Sequence, residues 1–561
     1  MPLPFLARAA LAAGLASIAA SIDNGLAQRP GLGWNSDYCI NCQAADGTPV
    51  ASSSQLRGFE NEAFFKHIAD FLVSSGLAAL GYTYVNSDSL WDLPTRDANG
   101  DLQPDPARWP SGITATSEYL HDRGLGFGVY GDRGNLDCNR MPGNLGHEVQ
   151  DAALYARLGV DWYKSDSCYA SPDPATAFAE YAVMRDALNA TKRPIWFALC
   201  GWNTFYAWQA PGRALGNSWR TGVDTGAGWA AVLSNVQGML SGGPNGTTLA
   251  PYGRPGGWND MSLLLNPGMG SGENLMSKER HRAQFGFHCL FNANMLMTGN
   301  LSSLDPYVLS TWGNPEAVAI NQDTAHTFVV LPLPPSEAAL LTPARVAECG
   351  GEPSAQAWSF DTPAAGFIRN NASGSCLNVA NCESDMIYDG CVTSGTTCNP
   401  AGHFYNEQFS LTAAGELVSA LPGARCATVA ADGTVALSAC QSPLPTAQTW
   451  RHEPATGALV NGGGLCMTVA TPPPPPSLDA LLVGRALADG SWALLALNNR
   501  AFNATLVCDA ACFAALGVPP GAALHVRDVW ARAPAPDASA TSLAMPVAAN
   551  GSTAFLRLSL A

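Results

Sequence analysis

A chain of 561 residues is long enough to form a large domain together with one or two smaller ones. Hydrophobic residues make up 47% of the chain and charged residues 13%, a composition that indicates a globular protein and not a disordered one. The net charge of −16 argues against nucleic acid and anionic membrane surfaces as partners, because both would repel the chain. An uncharged substrate fits this composition better.

The N-terminal segment 1–20 is predicted to be a secretory signal peptide. Arg8 supplies a positive charge, residues 9–20 form an apolar run, and small residues follow. The run is too short to span a bilayer, and the sequence has no later segment of transmembrane length. Sixteen cysteines predict disulfides formed in an oxidising compartment. Six Asn-x-Ser/Thr sites also indicate a secreted or vacuolar/lysosomal glycoprotein: Asn189, Asn245, Asn300, Asn371, Asn503 and Asn550.

Short apolar runs that end in polar or reactive residues recur through the first half of the chain. We expect strands at 32–36, 82–88, 126–132, 161–166, 195–202, 218–224, 256–260 and 295–300. Helical patterns lie between most of them, at 60–80, 113–123, 144–158 and 175–188. This alternation predicts a parallel (β/α)8 barrel over residues 21–330. An open doubly wound sheet is the alternative, but it would concentrate ligand residues at one switch point and not at every strand end.

The composition changes near residue 348 to glycine, serine, asparagine and cysteine with little helical periodicity. A short motif around Cys376 recurs around Cys426 and Cys466, and a Gln-x-Trp motif occurs at Gln356 and again at Gln448. These repeats predict a module of repeated β-strands over 343–470. A run of prolines within 471–477 predicts a stiff linker. Residues 478–561 alternate like the strands of a small antiparallel β-domain.

The strongest chemical signal lies at the ends of the fourth and sixth predicted strands, which carry Asp166 and Asp224. Retaining glycoside hydrolysis uses two carboxylates about 5–5.5 Å apart, one as nucleophile and one as acid/base. Lys164 points to the same side as Asp166, because side chains alternate along a strand, and is expected to hold that carboxylate ionised. Arg220 is expected to do the same or to bind a sugar hydroxyl. Asp224, with no cation equally close in sequence, is expected to keep a higher pKa and to act as the acid.

The alternative interpretation of Lys164 and Asp166 is a solvated surface ion pair. Tryptophans near the strand ends favour a sugar site, since indole faces stack on sugar rings, although a single tryptophan there is more often core. The residues concerned are Trp34, Trp91, Trp202, Trp219 and Trp258. No His-Glu-x-x-His zinc motif and no Walker-type phosphate loop occurs, so neither a metal nor a cofactor is predicted. Cys39 and Cys42 have redox spacing, but in a secreted chain they predict a disulfide.

Seven segments in a fixed order resemble the α-galactosidase (melibiase) family of retaining glycoside hydrolases, which also contains α-N-acetylgalactosaminidases. They are Asp23-Asn-Gly-Leu-Ala27, Gly33-Trp-Asn-Ser36, Gly126-Phe-Gly-Val-Tyr130, Tyr163-Lys-Ser-Asp-Ser-Cys168, Trp219-Arg-Thr-Gly-Val-Asp224, Gly257-Trp-Asn-Asp260 and Ile320-Asn-Gln-Asp323. A further resemblance lies around residues 483–499. The resemblance implies a (β/α)8 barrel followed by a small antiparallel β-sandwich.

The resemblance also assigns roles to individual residues. It implies that Asp166 is the nucleophile and Asp224 the acid/base, and that Cys138 and Cys168 form a disulfide at the site. Positions that bind the sugar in the family are occupied here by Asp88, Tyr130, Lys164 and Arg220. Trp34, Trp91, Gly201 and Trp202 complete the predicted substrate-binding set.

Several positions depart from the family pattern. The Asp-Asp-Cys-Trp motif is Asp88-Ser-Leu-Trp91 here, which removes one sugar-binding carboxylate and one cysteine. The aromatic residue that usually follows Trp-Asn-Ser is Asp37, and Trp-Asn-Asp-Pro-Asp is Trp258-Asn-Asp-Met-Ser262. Gly201 replaces a glutamate that often reads the sugar 2-hydroxyl, and with the small Thr204 it is expected to leave room for a substituent there.

Residues 348–469 resemble a ricin-type β-trefoil lectin module through the Gln-x-Trp and cysteine repeats. The aspartate that usually follows Cys-Leu in such modules is Asn378, Thr428 or Thr468 here, so a structural role and sugar binding are both kept open.

The predicted activity is that of a retaining α-galactosidase that removes terminal α-linked galactose from oligosaccharides or glycoconjugates. Three alternatives stay open: another specificity of the family, chiefly α-N-acetylgalactosaminidase; a catalytically silent glycan-binding protein; and an enzyme that depends on its lectin-like module for substrate. A homodimer is also kept open. Retention of both Asp166 and Asp224 argues against the silent protein.

Overall fold

The computed structural model describes residues 22, 24–37, 61–209, 212–301, 304–325, 327–333, 342–350, 356–362, 365–371, 377–379, 387–389, 408–421, 423, 425–469 and 478–561. The predicted signal peptide, Cys39, Cys42 and the proline run lie outside the described residues. The chain forms two compact units, one of Met1–Pro335 with Leu478–Ala561 and the other of Ser336–Ser477. Within the described ranges, no helix combines the length and apolar character needed to cross a membrane.

The first unit contains a sheet of eight parallel strands in the order β7-β6-β5-β4-β3-β2-β1-β8. A parallel bridge between Leu264 and Met297 joins its two ends. The (β/α)8 barrel predicted from the sequence is confirmed. Its strands are β1 Leu32–Asn35, β2 Tyr82–Asn86, β3 Gly126–Asp132, β4 Trp162–Asp166, β5 Trp196–Leu199, β6 Ser218–Arg220, β7 Trp258–Asp260 and β8 Met295–Met297.

Strand β4 shows why alternate residues acquire different roles. Trp162 stacks on Trp196 of β5, with ring centroids 4.5 Å apart. On the other side, Tyr163 stacks on Phe197, with centroids 5.7 Å apart. Because side chains alternate along a strand, Lys164 and Asp166 project to the same side as Trp162, towards the C-terminal mouth of the barrel.

Helices follow most of the strands and cover the barrel. The bounds are α1 Glu62–Ser74, α2 Ile113–His121, α3 Glu148–Arg157, α4 Pro174–Ala190, α5 Phe205–Trp208, α6 Gly212–Leu215, α7 Trp229–Ser241, α8 Lys278–Leu290, α9 Pro306–Trp312 and α10 Pro315–Asn321. Helix α4 illustrates the local signals: Asp173 caps it by accepting a bond from the Thr176 amide, and Pro174 occupies its first turn. All four predicted helices occur, and three lie close to the expected bounds, whereas the first ends at Ser74 and not at residue 80.

An antiparallel sheet completes the first unit, in the order β24-β27-β26-β25-β28-β23-β22-β9. Alternate residues of β22 and β23 are buried on both faces: Leu481 and Leu495 join the barrel core, and Leu482 and Leu494 join a second core. The elements are β9 Val329–Leu331, β22 Ala480–Ala486, β23 Trp492–Asn498, β24 Ala504–Asp509, α11 Ala510–Leu516, β25 Ala523–Asp528, β26 Ala533–Ser539, β27 Ser542–Val547 and β28 Ser552–Leu560.

The described residues of the second unit form two six-stranded antiparallel sheets. Its strands are β10 Thr342–Glu348, β11 Trp358–Thr362, β12 Ala365–Asn370, β13 Leu377–Val379, β14 Ile387–Asp389, β15 Gln408–Leu411, β16 Leu417–Ser419, β17 Arg425–Val429, β18 Val435–Ala439, β19 Trp450–Glu453, β20 Ala458–Asn461 and β21 Leu465–Val469. Disulfides Cys349–Cys466 and Cys426–Cys440 join parts of this unit.

The Gln-x-Trp motifs stabilise the core of the second unit. Gln448 Nε2 donates to Thr428 Oγ1 at 3.0 Å and to Ser438 Oγ at 2.8 Å. The indole nitrogen of Trp450 donates to the Ala427 carbonyl at 2.8 Å. In this repeat, the residue in the place of the usual aspartate is therefore bonded within the module, which favours the structural role.

Candidate active site

The C-terminal ends of the barrel strands bring together most of the predicted polar residues. Asp166 ends β4, Arg220 ends β6, and Asp88 follows β2. Asp166 is 4% exposed, whereas the Asp224 side chain, just beyond β6, is 46% exposed. The two carboxylates predicted as a catalytic pair therefore have different surroundings, one enclosed and one open to solvent.

The Asp166 carboxylate is held by two hydrogen bonds. The Tyr130 hydroxyl donates to Oδ2 at 2.8 Å, and the Ser167 amide donates to Oδ1 at 3.0 Å. Burial raises the pKa of Asp166 to about 6; Lys164 and Tyr130 oppose the shift, while the charges of Asp224 and Asp88 add to it. The effect of Asp224 indicates that the two carboxylates are electrostatic neighbours.

Lys164 does not pair with Asp166 as expected. Its ammonium donates to Asp88 Oδ2 at 2.8 Å and lies 4.8 Å from the centre of the Tyr130 ring. Burial favours the neutral amine, but nearby carboxylates, above all Asp88, raise the pKa of Lys164. The ammonium lowers the pKa of Asp166, the direction expected from the sequence, but burial has the larger effect and raises that pKa to about 6.

Arg220, which was expected to act on Asp166 or to bind a sugar hydroxyl, is the direct partner of Asp224. Arg220 Nη2 donates to Asp224 Oδ1 at 2.7 Å. On the other side of the guanidinium, Nη1 lies 3.5 Å from the thiol sulfur of Cys200. The expectation that Asp224 lacks a cation as close as the one beside Asp166 is therefore wrong, because Arg220 bonds to Asp224 directly.

A disulfide joins Cys138 and Cys168, as the resemblance implied. Tyr130 Oη, which bonds to Asp166, also lies 3.0 Å from Cys138 Sγ. Asp132, opposite Asp166 in the adjacent strand, accepts bonds at 2.7 Å from the amides of Cys168 and Gly134. Asp132 thus fixes the loop that carries the disulfide, a role with no motif of its own in the sequence.

Four of the five candidate tryptophans lie in the core. The rings of Trp34 and Trp91 are buried, and their indole nitrogens donate to the carbonyls of Gly299 at 2.8 Å and Tyr130 at 2.7 Å. Trp219 and Trp258 are also buried and bonded. Protein atoms cover these rings, so the structure gives a stacking role no support. Trp202, after β5, is partly exposed and has a left-handed φ of 52°.

Gly201 does not leave the space that the sequence suggested. A Cβ built on Gly201 would lie 2.0 Å from Cε2 and 2.5 Å from Oη of Tyr206. Tyr206 is 2% exposed and packs against Phe178 and Phe205, with ring centroids 5.6 and 4.6 Å apart. The expected room beside Gly201 is occupied by the phenol ring. Sequence reasoning missed Tyr206, which lies five residues away on another element.

Two further polar residues support Asp88. Asn35 Nδ2 donates to its Oδ2 at 3.2 Å, and the Ser89 amide donates to its Oδ1 at 3.0 Å. The Ser89 hydroxyl in turn donates to the buried carboxylate of Asp137. Ser89 replaces a carboxylate of the family pattern, and Asp137 supplies a carboxylate next to it from another loop.

The sequence model of a protein family described as Alpha galactosidase A matches residues 30–323, just over half of the chain. The chain belongs to this family. A ricin-type β-trefoil lectin domain matches residues 364–482, and an α-galactosidase C-terminal β-sandwich domain matches residues 481–557. The resemblances to the family and to the lectin module are confirmed.

Similarity to individual members of the family centres on the barrel. An α-galactosidase from Cyamopsis tetragonoloba is 37% identical over 305 residues, which cover 54% of this chain and 66% of that protein, slightly less than two thirds of its length. An α-N-acetylgalactosaminidase from Gallus gallus is 35% identical over 309 residues, which cover 54% of this chain and 72% of that protein. The solved structure of α-galactosidase I from Mortierella vinacea shares the fold, with a TM-score of 0.57, 18% identity and coverage of 96% and 98%.

Proposed function

We propose that the protein is a retaining α-galactosidase that removes terminal α-linked galactose from oligosaccharides or glycoconjugates. The observation that carries this proposal is the group of three hydrogen-bonded pairs at the strand ends, in a chain of the Alpha galactosidase A family. Asp166 bonds to Tyr130, Lys164 bonds to Asp88, and Arg220 bonds to Asp224. The same residues are those that the family resemblance assigns to catalysis and sugar binding.

The buried carboxylate suits the nucleophile. In the first step an oxygen of ionised Asp166 bonds to the anomeric carbon while the bond to the leaving oxygen breaks. The Ser167 amide and the Tyr130 hydroxyl fix the orientation of the carboxylate, which reduces the entropy that is lost when the transition state forms. The product of this step is a β-linked galactosyl-enzyme.

The exposed carboxylate suits the acid/base. Asp224 gives its proton to the leaving oxygen in the first step and then takes a proton from the water that attacks the galactosyl-enzyme. Arg220 Nη2 donates to Asp224 Oδ1 and so orients the group. Solvent access on this side allows the leaving group to depart and water to enter.

Galactose is favoured over N-acetylgalactosamine because of Tyr206. If Gly201 lies beside the sugar 2-position, as the family pattern implies, the phenol ring takes the space that an acetamido group would need. The α-N-acetylgalactosaminidase activity of some relatives is therefore the weaker proposal for this chain.

Chemical rescue tests the two roles separately. Asp166→Gly should lose nearly all activity, and added azide should yield the β-galactosyl azide from an activated aryl α-galactoside. Asp224→Ala with azide should yield the α-galactosyl azide, because azide then attacks the galactosyl-enzyme. Proton NMR identifies each anomer, and the wild type should release α-galactose first. Inactivity of the wild type on a panel of aryl α-glycosides, or release of β-galactose, would refute the proposal.

We also propose passage through the secretory pathway and domain limits of 21–330 for the barrel, 343–470 for the lectin-like module and 478–561 for the C-terminal domain. Disulfides of the described residues and the eukaryotic relatives support the compartment. Treatment of protein purified from a eukaryotic secretion host with an N-glycosidase should reduce its mass. Retention of the intact N-terminus in the mature protein would contradict the predicted signal peptide.

A further inference from the structure

The segment 221–225, which carries Asp224, is anchored on both sides of the carboxylate. Before it, the Thr221 amide donates to the Asp260 carbonyl at 2.9 Å. After it, Thr225 Oγ1 donates to the Leu263 carbonyl at 2.9 Å. Both acceptors belong to β7 or to the residues that follow it. The backbone around Asp224 is thus attached to the neighbouring strand end, although its side chain is half exposed.

A third connection is made by one buried amide, that of Asn235 on α7. Asn235 is 1% exposed, and its Nδ2 donates to the Val223 carbonyl at 2.8 Å and to the Met261 carbonyl at 3.0 Å. Both acceptors are carbonyls, which assigns the nitrogen of the amide to this position. Asn235 therefore bridges the residue immediately before Asp224 and the segment after β7.

Gly222, next to Val223, leaves room for the Asn235 amide because it has no Cβ. A Cβ on Gly222 would lie 2.1 Å from Asn235 Oδ1, so a larger residue would displace the amide. An asparagine is a poor residue for the interior of a helix, and a buried amide is costly unless it is bonded. The presence of an asparagine inside a helix and the burial of its amide are both explained if the amide is needed at this position.

We propose that Asn235 is a positioning residue for acid/base catalysis, which it supports by holding the backbone of residue 223 and thereby the Asp224 carboxylate. This inference rests on the proposed role of Asp224. A general acid must reach the leaving oxygen within hydrogen-bond distance, and a displacement of about 1 Å is enough to reduce the rate about a hundredfold. Asn235 itself touches neither the sugar nor the reacting atoms in this proposal.

The test compares aryl α-galactosides with a strongly acidic and a weakly acidic phenol. Asn235→Ala removes both hydrogen bonds, and Asn235→Ser keeps a hydroxyl donor near them. Gln237→Ala is the matched control, because Gln237 is an amide on the same helix whose Nε2 donates to Ser241 Oγ at 2.8 Å. Asp224→Ala provides the reference for complete loss of the acid, and Tm is measured for every variant.

Asn235→Ala should lower kcat/KM for the weakly acidic phenol about ten- to a hundredfold and for the strongly acidic phenol less than about threefold. Asn235→Ser should lie between this variant and the wild type, and Gln237→Ala should match the wild type on both substrates. The serine variant also decides the question if the alanine variant does not fold.

Equal losses on both substrates, or a lowered Tm with unchanged kinetics, would overturn the inference and leave Asn235 a residue of stability alone. An equal loss in Gln237→Ala would also overturn it. If Asp224→Ala shows no dependence on the leaving group, the assigned acid/base role fails instead, so the two failures are distinguished.

Discussion

At the scale of single residues, burial decides the protonation of the site more strongly than charge pairing does. Asp166 has a cation two residues away in sequence, yet desolvation raises its pKa to about 6. Asp132 follows the same rule, since burial raises its pKa to about 7. These carboxylates are retained at a cost in stability, which is typical of functional groups.

Replacement of Asp166 should therefore stabilise the protein at neutral pH. The folded-state pKa of about 6 exceeds the ordinary value of 3.8, so the protonated form contributes stability that is complete below about pH 4 and lost as the pH rises through about 6. The upward shift corresponds to about 3 kcal/mol at most. Asp166→Asn, which stays neutral, should have a higher Tm than the wild type at about pH 7.5 and an equal Tm at about pH 4. A Tm difference that is the same at both pH values would contradict this.

The acid limb of the pH profile should report the same group. In the free enzyme, kcat/KM should fall as the pH drops below about 6, because protonated Asp166 is not a nucleophile. The Tyr130 hydrogen bond lowers the pKa of Asp166, so Tyr130→Phe should move this limb to higher pH. Tyr119→Phe is the control, because the Tyr119 hydroxyl bonds to Asp70 on the helical layer. An unmoved limb in Tyr130→Phe would assign it to another group.

At the scale of elements, the eight barrel strands occur where predicted, and β3, β4 and β7 end at the predicted residue, whereas the other five end earlier. The fifth was expected over 195–202 and the sixth over 218–224, whereas β5 ends at Leu199 and β6 at Arg220. The left-handed φ of Trp202 interrupts the extended backbone after β5, and bonds from Thr221 and Asn235 direct the chain after β6. Residues distant in sequence bond to these strand ends, and a pattern of alternating apolar and polar residues does not predict such bonds.

The segment after β5 contains Gly201 and Tyr206, which are proposed to lie near the sugar 2-position. Gly201→Glu should destabilise the protein, since its side chain would meet the ring of Tyr206. Tyr206→Ala should open the space that Gly201 was expected to leave. The ratio of kcat/KM for aryl α-N-acetylgalactosaminide to that for aryl α-galactoside should then rise about tenfold or more.

Phe205→Ala is the matched control for Tyr206→Ala, because Phe205 packs against the same ring but does not occupy the Cβ position of Gly201. An unchanged ratio in Tyr206→Ala would show that this part of the loop does not line the 2-position.

At the scale of the whole molecule, the lectin-like unit is inserted in sequence between two strands that pair directly with each other. Strand β9 precedes the unit and β22 follows it, and the two pair antiparallel, with Leu331 opposite Leu482 and Val329 opposite Gly484. The chain therefore leaves and re-enters the sheet at adjacent strands, the arrangement of a hairpin with a very long connection.

Excision of residues 336–477, with a short Gly-Ser linker in their place, should leave a folded protein. Among the residues that the structure describes, the barrel core and the second core are built from the first unit alone. Activity on aryl α-galactosides should stay within about threefold of the full chain, because all residues proposed for catalysis lie in the first unit. A large loss on small aryl substrates would indicate that catalysis depends on the module.

Much of the architecture was determined by the sequence alone. Hydrophobic runs of strand length alternating with helical patterns specify a barrel, because each pattern buries its apolar face in one way only. The period of two along β4 places Lys164 and Asp166 on one side, so the location of the site also followed from local pattern.

The electrostatics and shape of the site depended on tertiary structure. Lys164 bonds to Asp88 across 76 residues of chain, Asp166 is enclosed by other strands, and Tyr206 fills the place beside Gly201. Trp34 and Trp91 became core because neighbouring elements cover them. Pairing partners, desolvation and free space are properties of residues distant in sequence and close in space, and only the folded chain brings them together.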